Sequence, residues 1–186
     1  MARFTTNINI YFPTPSVKIY MEGKWEKVTS AISGLGPAIQ RGYDKAVSKY
    51  SRKLLMVIKE AIQEGGPPGS IWEPQADSTM ATYKSHGWVV GQPYYRTGLF
   101  YRSLGMYSYR GRVYIGLPSN IRTENGLTLV QLARILEAGT DKIPARPLFA
   151  PSLEAVGGTP TLRREILKSI RSELGHLGFK PNQIKM

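Results

Sequence analysis

The segment that most constrains the fold runs from Pro37 to Ala61, where apolar residues recur at intervals of three or four. The apolar positions are Ile39, Tyr43, Val47, Tyr50, Leu54, Val57 or Ile58, and Ala61. This spacing matches the period of an α-helix and places these side chains on one face, with polar residues on the other. Pro37 suits a first helical turn, and the Gly65-Gly66-Pro67 sequence ends the segment. At about 1.5 Å per residue, the predicted helix is roughly 40 Å long and crosses a small domain.

The residues before this helix have a different pattern. Residues 1–30 contain the runs TNINIYF and VKIYMEGKWEKV, in which β-branched and aromatic residues surround Pro13, Pro15 and Gly23. These features predict short strands. We interpret residues 1–30 as an N-terminal extended or β arm, which forms either a hairpin or a strand that pairs with a neighbouring molecule.

Shorter elements follow the long helix. The predicted elements are a helix over TMATYKSH opened by Asp77 or Ser78, a short helix in YYRTGLFYRSL, a β-hairpin about Gly111, an amphipathic helix over TLVQLARILEAG from Asn125 or Thr128 to Gly139, and a last helix from Thr159-Pro160. Helices and antiparallel strands in separate runs predict an α+β fold. We expect residues 31–186 to form a single α+β domain.

The composition excludes several classes of protein. No cysteine is present, so a disulfide framework, a thiol nucleophile and a thiolate metal site are excluded. The apolar run at residues 54–58 is far shorter than the roughly 20 residues that cross a bilayer, and no signal-peptide core is visible. We therefore expect no membrane partner and synthesis in a cytoplasm. Lysine and arginine total 25 against 13 acidic residues, and a net charge of +12 attracts polyanions or acidic protein surfaces.

No motif for catalysis, cofactor binding or metal binding is found. His86 and His176 have no partner at metal-ligand spacing, and the Gly-Leu-Gly sequence at 34–36 runs into Pro37 where a dinucleotide loop needs a free amide. We therefore expect no enzyme activity, no cofactor and no metal. A carboxylate pair that meets only in space stays open, and with it a small hydrolase or nuclease.

Six of the 11 tyrosines lie between residues 94 and 114, interleaved with arginines. This pattern fits a base-stacking platform with phosphate-binding arginines, but it fits protein interfaces and strand faces better. Further along, Pro144 and Pro147 predict an extended and stiff segment, which we call the strap (residues 143–149, IPARPLF). The guanidinium of Arg146 suits a carboxylate or backbone carbonyls, and the alternative is a solvated arginine in a connector.

The order of these motifs resembles the virion-morphogenesis and tail-completion proteins of the head-tail neck of tailed bacteriophages. The matching positions are Trp72, Pro74, Thr79 and Lys84; Thr97, Gly98, Leu99 and Ser103; Val113 and Gly116; Glu137, Gly139 and Thr140; and Pro144, Ala145, Arg146, Pro147, Leu148 and Phe149. The resemblance covers roughly residues 37–175. Gln75 departs from it where a leucine is usual, and residues 1–30 have no counterpart.

The resemblance implies a long amphipathic helix packed on a small curved antiparallel sheet. It also implies a structural virion protein that forms a ring between the capsid connector and the tail tube, around the DNA channel. Its partners would be copies of itself, connector or adaptor subunits, and tail-terminator or tail-tube subunits, with a diffuse contact to the genomic DNA. The expected interface residues are Trp72, Arg96, Thr97, Pro144, Arg146, Pro147, Leu148 and Phe149, and the charges expected near DNA are Arg102, Arg110 and Arg112. We expect Arg146→Ala to weaken assembly more than folding. The alternative is a basic nucleic-acid-binding module.

Overall fold

The chain folds into helices and short antiparallel strands. A computed structural model describes residues 18–19, 25–109, 112–178 and 184–185. The elements are β1 (Lys18–Ile19), α1 (Trp25–Glu64), α2 (Asp77–Ser85), α3 (Leu99–Ser103), β2 (Gly105–Tyr109), β3 (Arg112–Gly116), α4 (Leu129–Ala138), α5 (Phe149–Ala155), α6 (Gly158–His176) and β4 (Ile184–Lys185). The fold is α+β, with a long helix packed on a two-stranded antiparallel sheet and several short helices. Within the described ranges, no helix has the length and apolar character needed to cross a membrane.

Two compact units divide the chain. The described part of the central unit comprises residues 51–109 and 112–156. The described part of the terminal unit comprises residues 18–19, 25–50, 157–178 and 184–185. Helix α1 contributes residues to both units. The assignment of residues 31–186 to a single domain stays a prediction.

Helix α1 begins earlier than the sequence pattern predicts. It spans 40 residues from Trp25, so Pro37 lies inside the helix and not in its first turn. A proline inside a helix has no N–H for the bond to position i−4, at a cost of about 3 kcal/mol. The expected boundary of the N-terminal arm at residue 30 is therefore wrong for its last six residues, Trp25 to Ser30. The predicted apolar face is confirmed, because Val47, Tyr50, Leu54 and Ile58 are buried.

The terminal unit joins the first part of α1 to α6. A Cβ atom on Gly42 would lie 2.7 Å from the Cα atom of Ile170, so glycine is required where the two backbones meet. The hydroxyl of Tyr50 donates to the carbonyl oxygen of Gly158 at 2.7 Å. Strands β1 and β4 pair antiparallel, with Ile19 opposite Ile184. The described strand of the expected N-terminal arm therefore pairs within its own chain. The rest of the arm before Trp25 lies outside the described residues.

The central unit has its core between the second part of α1, α4 and the strap. Its most deeply buried large side chains include Leu54, Ile58, Ile62, Leu129 and Leu148. The predicted hairpin is confirmed by the antiparallel pairing of β2 with β3, although its turn at residues 110 and 111 lies outside the described residues. Helices α2, α3, α4 and α6 confirm the predicted helices. Helix α5, whose seven residues are too few for a periodic pattern, was not predicted.

Candidate functional site

Helix α4 and its two ends position the strap. Thr128 caps the N-terminus, because its hydroxyl oxygen accepts from the Gln131 N–H while the Gln131 side chain accepts from the Thr128 N–H. At the other end, Gly139 has φ 72° and ψ −177°, a backbone conformation that is nearly restricted to glycine. A Cβ atom here would lie 2.7 Å from the Ala145 nitrogen. The chain therefore turns tightly after α4 and brings the strap back along it.

Three hydrogen bonds from different parts of the chain hold the middle of the strap. The Arg146 N–H donates to the Leu136 carbonyl in α4 at 2.7 Å. The Tyr94 hydroxyl donates to the Arg146 carbonyl at 2.8 Å, and the Trp72 indole N–H donates to the Pro147 carbonyl at 2.9 Å. Because Pro147 has no N–H to donate, its backbone takes part through its carbonyl group alone.

A carboxylate from α4 fixes the end of the strap. One oxygen of Glu137, Oε1, accepts from the Leu148 N–H at 2.8 Å and from the Phe149 N–H at 3.0 Å. These two amides stand at the start of α5, where backbone N–H groups lack partners within the helix. Burial raises the pKa of Glu137, and the two hydrogen bonds offset part of that rise. Glu137 thus joins the C-terminal turn of α4 to the N-terminus of α5.

The side chain of Arg146 points into the core of the central unit. It is only 4% exposed, and its Nη2 donates to the carbonyls of Glu73 and Pro74 at 3.2 and 3.4 Å. Of the partners that the sequence left open, a carboxylate or backbone carbonyls, the structure shows carbonyls. Arg146 thereby ties the strap to a segment more than 70 residues earlier in the chain. A solvated arginine in a connector is excluded by this burial.

Aromatic rings pack beside these hydrogen bonds. Tyr94 lies between Trp72, at 5.0 Å between ring centroids, and Phe100, at 4.9 Å. Burial raises the pKa of Tyr94 above its ordinary value, the charge of Glu137 raises it further, and the charge of Arg146 lowers it. The Tyr94 hydroxyl therefore stays protonated and available as a donor to the strap.

The structure brings together five of the expected interface residues: Trp72, Arg146, Pro147, Leu148 and Phe149. All of these except the half-buried Pro147 are buried in the central unit itself. Such side chains can contact another subunit only if the central unit unfolds in part. The burial and hydrogen bonds of Arg146 therefore correct the expectation that its loss affects assembly more than folding.

The other expected interface residues keep part of their surface. Pro144, Arg96 and Thr97 are half-buried. The guanidinium of Arg96 lies over the ring of Trp88 at 4.3 Å and forms an ion pair with Glu124 at 3.8 Å. Such a cation–π contact holds the arginine in one orientation at the surface.

Two of the three charges expected near DNA lie among the described residues. Arg102 is exposed and donates to the Thr97 carbonyl at 3.2 Å. Arg112 is exposed at the start of β3. Arg110 lies outside the described residues. The role of these arginines near DNA stays a prediction.

Three residues of the network were not identified as site residues from the sequence. Glu137 appeared only as part of the Glu-x-Gly-Thr motif, and Tyr94 only as one of many tyrosines. Gln75, noted as a departure from the resembling family, is buried and accepts from the Gly91 N–H at 3.1 Å. Buried polar side chains are usually hydrogen-bonded, and their partners here are backbone groups, which carry no sequence signal.

The arrangement is a network of hydrogen bonds between side chains and backbone. In the part of the chain that is described, no group of three or more histidine, aspartate or glutamate side chains forms a candidate metal site. The fold and this network define an α+β protein whose central unit is tied by hydrogen bonds to the strap, in which Pro144 and Pro147 lie. Comparison with protein-family models, curated proteins and solved structures gives no match.

Proposed function

We propose that the chain is a structural subunit of the head-tail neck of a tailed bacteriophage, a tail-completion or head-tail joining protein. Copies of it form a ring that connects the capsid connector to the tail tube around the DNA channel. The protein acts in the virion after synthesis in the bacterial cytoplasm. Its contacts are with itself, with connector or adaptor subunits and with tail-terminator or tail-tube subunits, and it catalyses no reaction.

The observation that carries this proposal is the contact between the motifs of the resemblance. The Trp72–Pro74 segment meets the strap through the Trp72 indole and the Arg146 guanidinium. The Glu137–Gly139 turn meets the strap through the Glu137 carboxylate. One network thus joins segments that are separated by up to about seventy residues. This network is a single structural reason for the occurrence of the motifs in this order. Three weak sequence signals then count as one stronger signal.

The chemistry of the buried polar groups supports a structural role. Glu137 uses one oxygen for two backbone N–H groups, and Nη2 of Arg146 is bonded to two carbonyls. Both groups are therefore engaged in holding the strap. A stiff subunit suits a ring, because little conformational entropy is lost when its surface docks on a neighbour.

A ring also needs two different surface patches that dock on each other, with closure by rotation. The central unit exposes apolar side chains that suit one patch. Ile71 is 94% exposed directly before the buried Trp72, and Val89 and Val90 are about two-fifths exposed beside Trp88. We place the contact surface on these residues together with the exposed parts of Arg96 and Pro144.

Light scattering after size exclusion, with electron microscopy of the same fractions, tests the proposal. The expected result is a closed ring of fixed mass that forms as the concentration rises. Ile71→Asp should shift the equilibrium to monomers, while Met56→Asp, a matched change at an exposed apolar residue of α1, should not. A protein that stays monomeric at the highest concentration, and heads that join tails without it, would together contradict the proposal.

The alternative proposal is a basic nucleic-acid-binding module. It predicts DNA binding whose affinity falls steeply with salt even for the monomer, and no closed ring. Light scattering and electron microscopy of the same fractions distinguish the two functions, because only the neck subunit is expected to form a closed ring.

A further inference from the structure

The outward face of α6 carries a row of cations. Arg163, Arg164, Lys168 and Arg171 are all exposed. They line an open groove of about 520 Å³, in which Leu167 and Pro160 supply apolar surface. No carboxylate lines this groove in the part of the chain that the structure describes. We call these four residues the α6 cation row.

The acidic residues of α6 face a different direction. Glu173 forms ion pairs with Arg41 at 3.3 Å and Lys45 at 3.8 Å, and Glu165 pairs with Lys49 at 3.8 Å. Both carboxylates of the helix thus serve basic residues of α1 within the terminal unit. Neither Glu165 nor Glu173 therefore lines the groove beside the cation row.

Two neighbouring cations of the row do not stabilise the helix. Arg164 and Lys168 are four residues apart, so their like charges are neighbours on the helix surface and repel each other. Arg164 also donates to the Thr161 hydroxyl at 3.3 Å, a contact between exposed groups that does not neutralise its charge. A like-charge pair that costs stability is better explained by a ligand of opposite charge.

We propose that the α6 cation row binds the phosphate backbone of double-stranded DNA without reading its sequence. Eight residues separate Arg163 from Arg171, which corresponds to about 12 Å along the helix. Duplex DNA carries one phosphate per about 1.7 Å of its axis, so about seven phosphates lie within that length. More phosphates than cations therefore lie within this length, whatever the position of the helix along the duplex.

DNA fits this face better than an acidic protein surface does. Three of the four cations are arginines, whose planar guanidinium groups match phosphate oxygens. Among the described residues, neither tryptophan nor tyrosine lines the groove, and these residues anchor most protein interfaces. The net charge of +12 also draws the whole chain toward a polyanion.

This inference does not depend on the neck assignment, since the cation row binds DNA with the same physics in any assembly. The test uses the full chain and a short DNA duplex followed by fluorescence anisotropy from about 50 to 200 mM salt. The variant replaces Arg163, Arg164, Lys168 and Arg171 by glutamine, a good helix former that removes only the charges. The control variant makes the same change at four exposed cations elsewhere: Arg52, Lys53, Lys84 and Lys142. Both variants lower the formal charge from +12 by four, to +8.

For the wild-type chain we expect the affinity to fall by at least about a hundredfold over this salt range, as four phosphate contacts require. In the plot of log affinity against log salt concentration, the slope of the cation-row variant should be less steep than that of the wild type by about 3 to 4. The slope of the control variant should change much less. Equal losses in both variants would show a diffuse field without a site and would overturn the inference. The inference would also be overturned if the cation-row variant bound DNA as the wild type does but failed to join a connector subunit. That result would show that this face binds an acidic protein surface.

Discussion

Replacing Arg146 by alanine should destabilise the central unit before it affects any contact between subunits. The guanidinium is almost fully buried, and its Nη2 supplies the hydrogen bonds to the carbonyls of Glu73 and Pro74. Alanine leaves both carbonyls without this donor and opens a cavity beside them. A buried acceptor that loses its partner costs its full desolvation penalty.

The expected loss follows from the number and geometry of these bonds. A hydrogen bond to a charged group contributes about 1.5 to 3 kcal/mol. Both bonds here leave the same nitrogen at 3.2 and 3.4 Å, near the long limit, so the lower value applies to each. The sum is about 3 kcal/mol, before any further cost of the cavity.

Urea unfolding of the full chain, followed by tryptophan fluorescence at a concentration where the protein is monomeric, measures this loss. Trp72 reports on the strap directly, because its indole N–H donates to the Pro147 carbonyl. Arg52→Ala, at an exposed position of α1, should change the free energy of unfolding by less than about 0.5 kcal/mol. If Arg146→Ala unfolds like the wild type and only fails to assemble, the argument from burial is refuted.

Two further substitutions test the ends of the strap. Glu137→Ala should cost about 2 kcal/mol, because the amides of Leu148 and Phe149 lose their acceptor. Because the pKa of Glu137 is raised in the folded chain, the folded chain binds the carboxyl proton more tightly than the unfolded chain does. The stability that this proton contributes therefore falls as the pH rises from the ordinary pKa of a glutamate to the raised one. Glu137→Gln should remove this pH dependence of the free energy of unfolding, which urea midpoints at several pH values measure. An equal pH dependence in the variant and the wild type would contradict its assignment to Glu137. Gly139→Ala should lower the free energy of unfolding by about 2 to 4 kcal/mol through backbone strain and a clash with the strap. Its control is Gly175→Ala, an exposed position near the end of α6 with open space, which should stabilise by about 0.5 kcal/mol.

The elements that could be predicted from the sequence are those in which independent signals agree. In α4 the apolar period, the capping residue Thr128 and the terminal Gly139 all indicate the same boundaries, and the structure confirms them. The start of α1 was wrong because Pro37 was interpreted as a first-turn residue. The helix in fact continues back to Trp25 and tolerates the missing hydrogen bond.

The site was predictable in part. Pro144 and Pro147 showed where the chain is stiff, and the chemistry of Arg146 limited its partners to two kinds. Its partners are backbone carbonyls distant in the sequence, and every residue has such a group, so no side-chain pattern identifies them. The pairing of β1 with β4 was not predicted for a similar reason, since two residues on each side are too few for a recognisable alternation.

The location of the protein in assembled particles tests the central claim most directly. On the proposed function, cryo-electron microscopy of phage particles produced by cells that carry this gene, with the symmetry of the neck resolved, should show a closed ring of this chain between connector and tail tube. The hydrogen bonds from Trp72 to Pro147 and from Arg146 to Glu73 should be intact inside each subunit of that ring. Complete particles whose neck density is fully explained by other proteins, with this chain absent, would contradict the account.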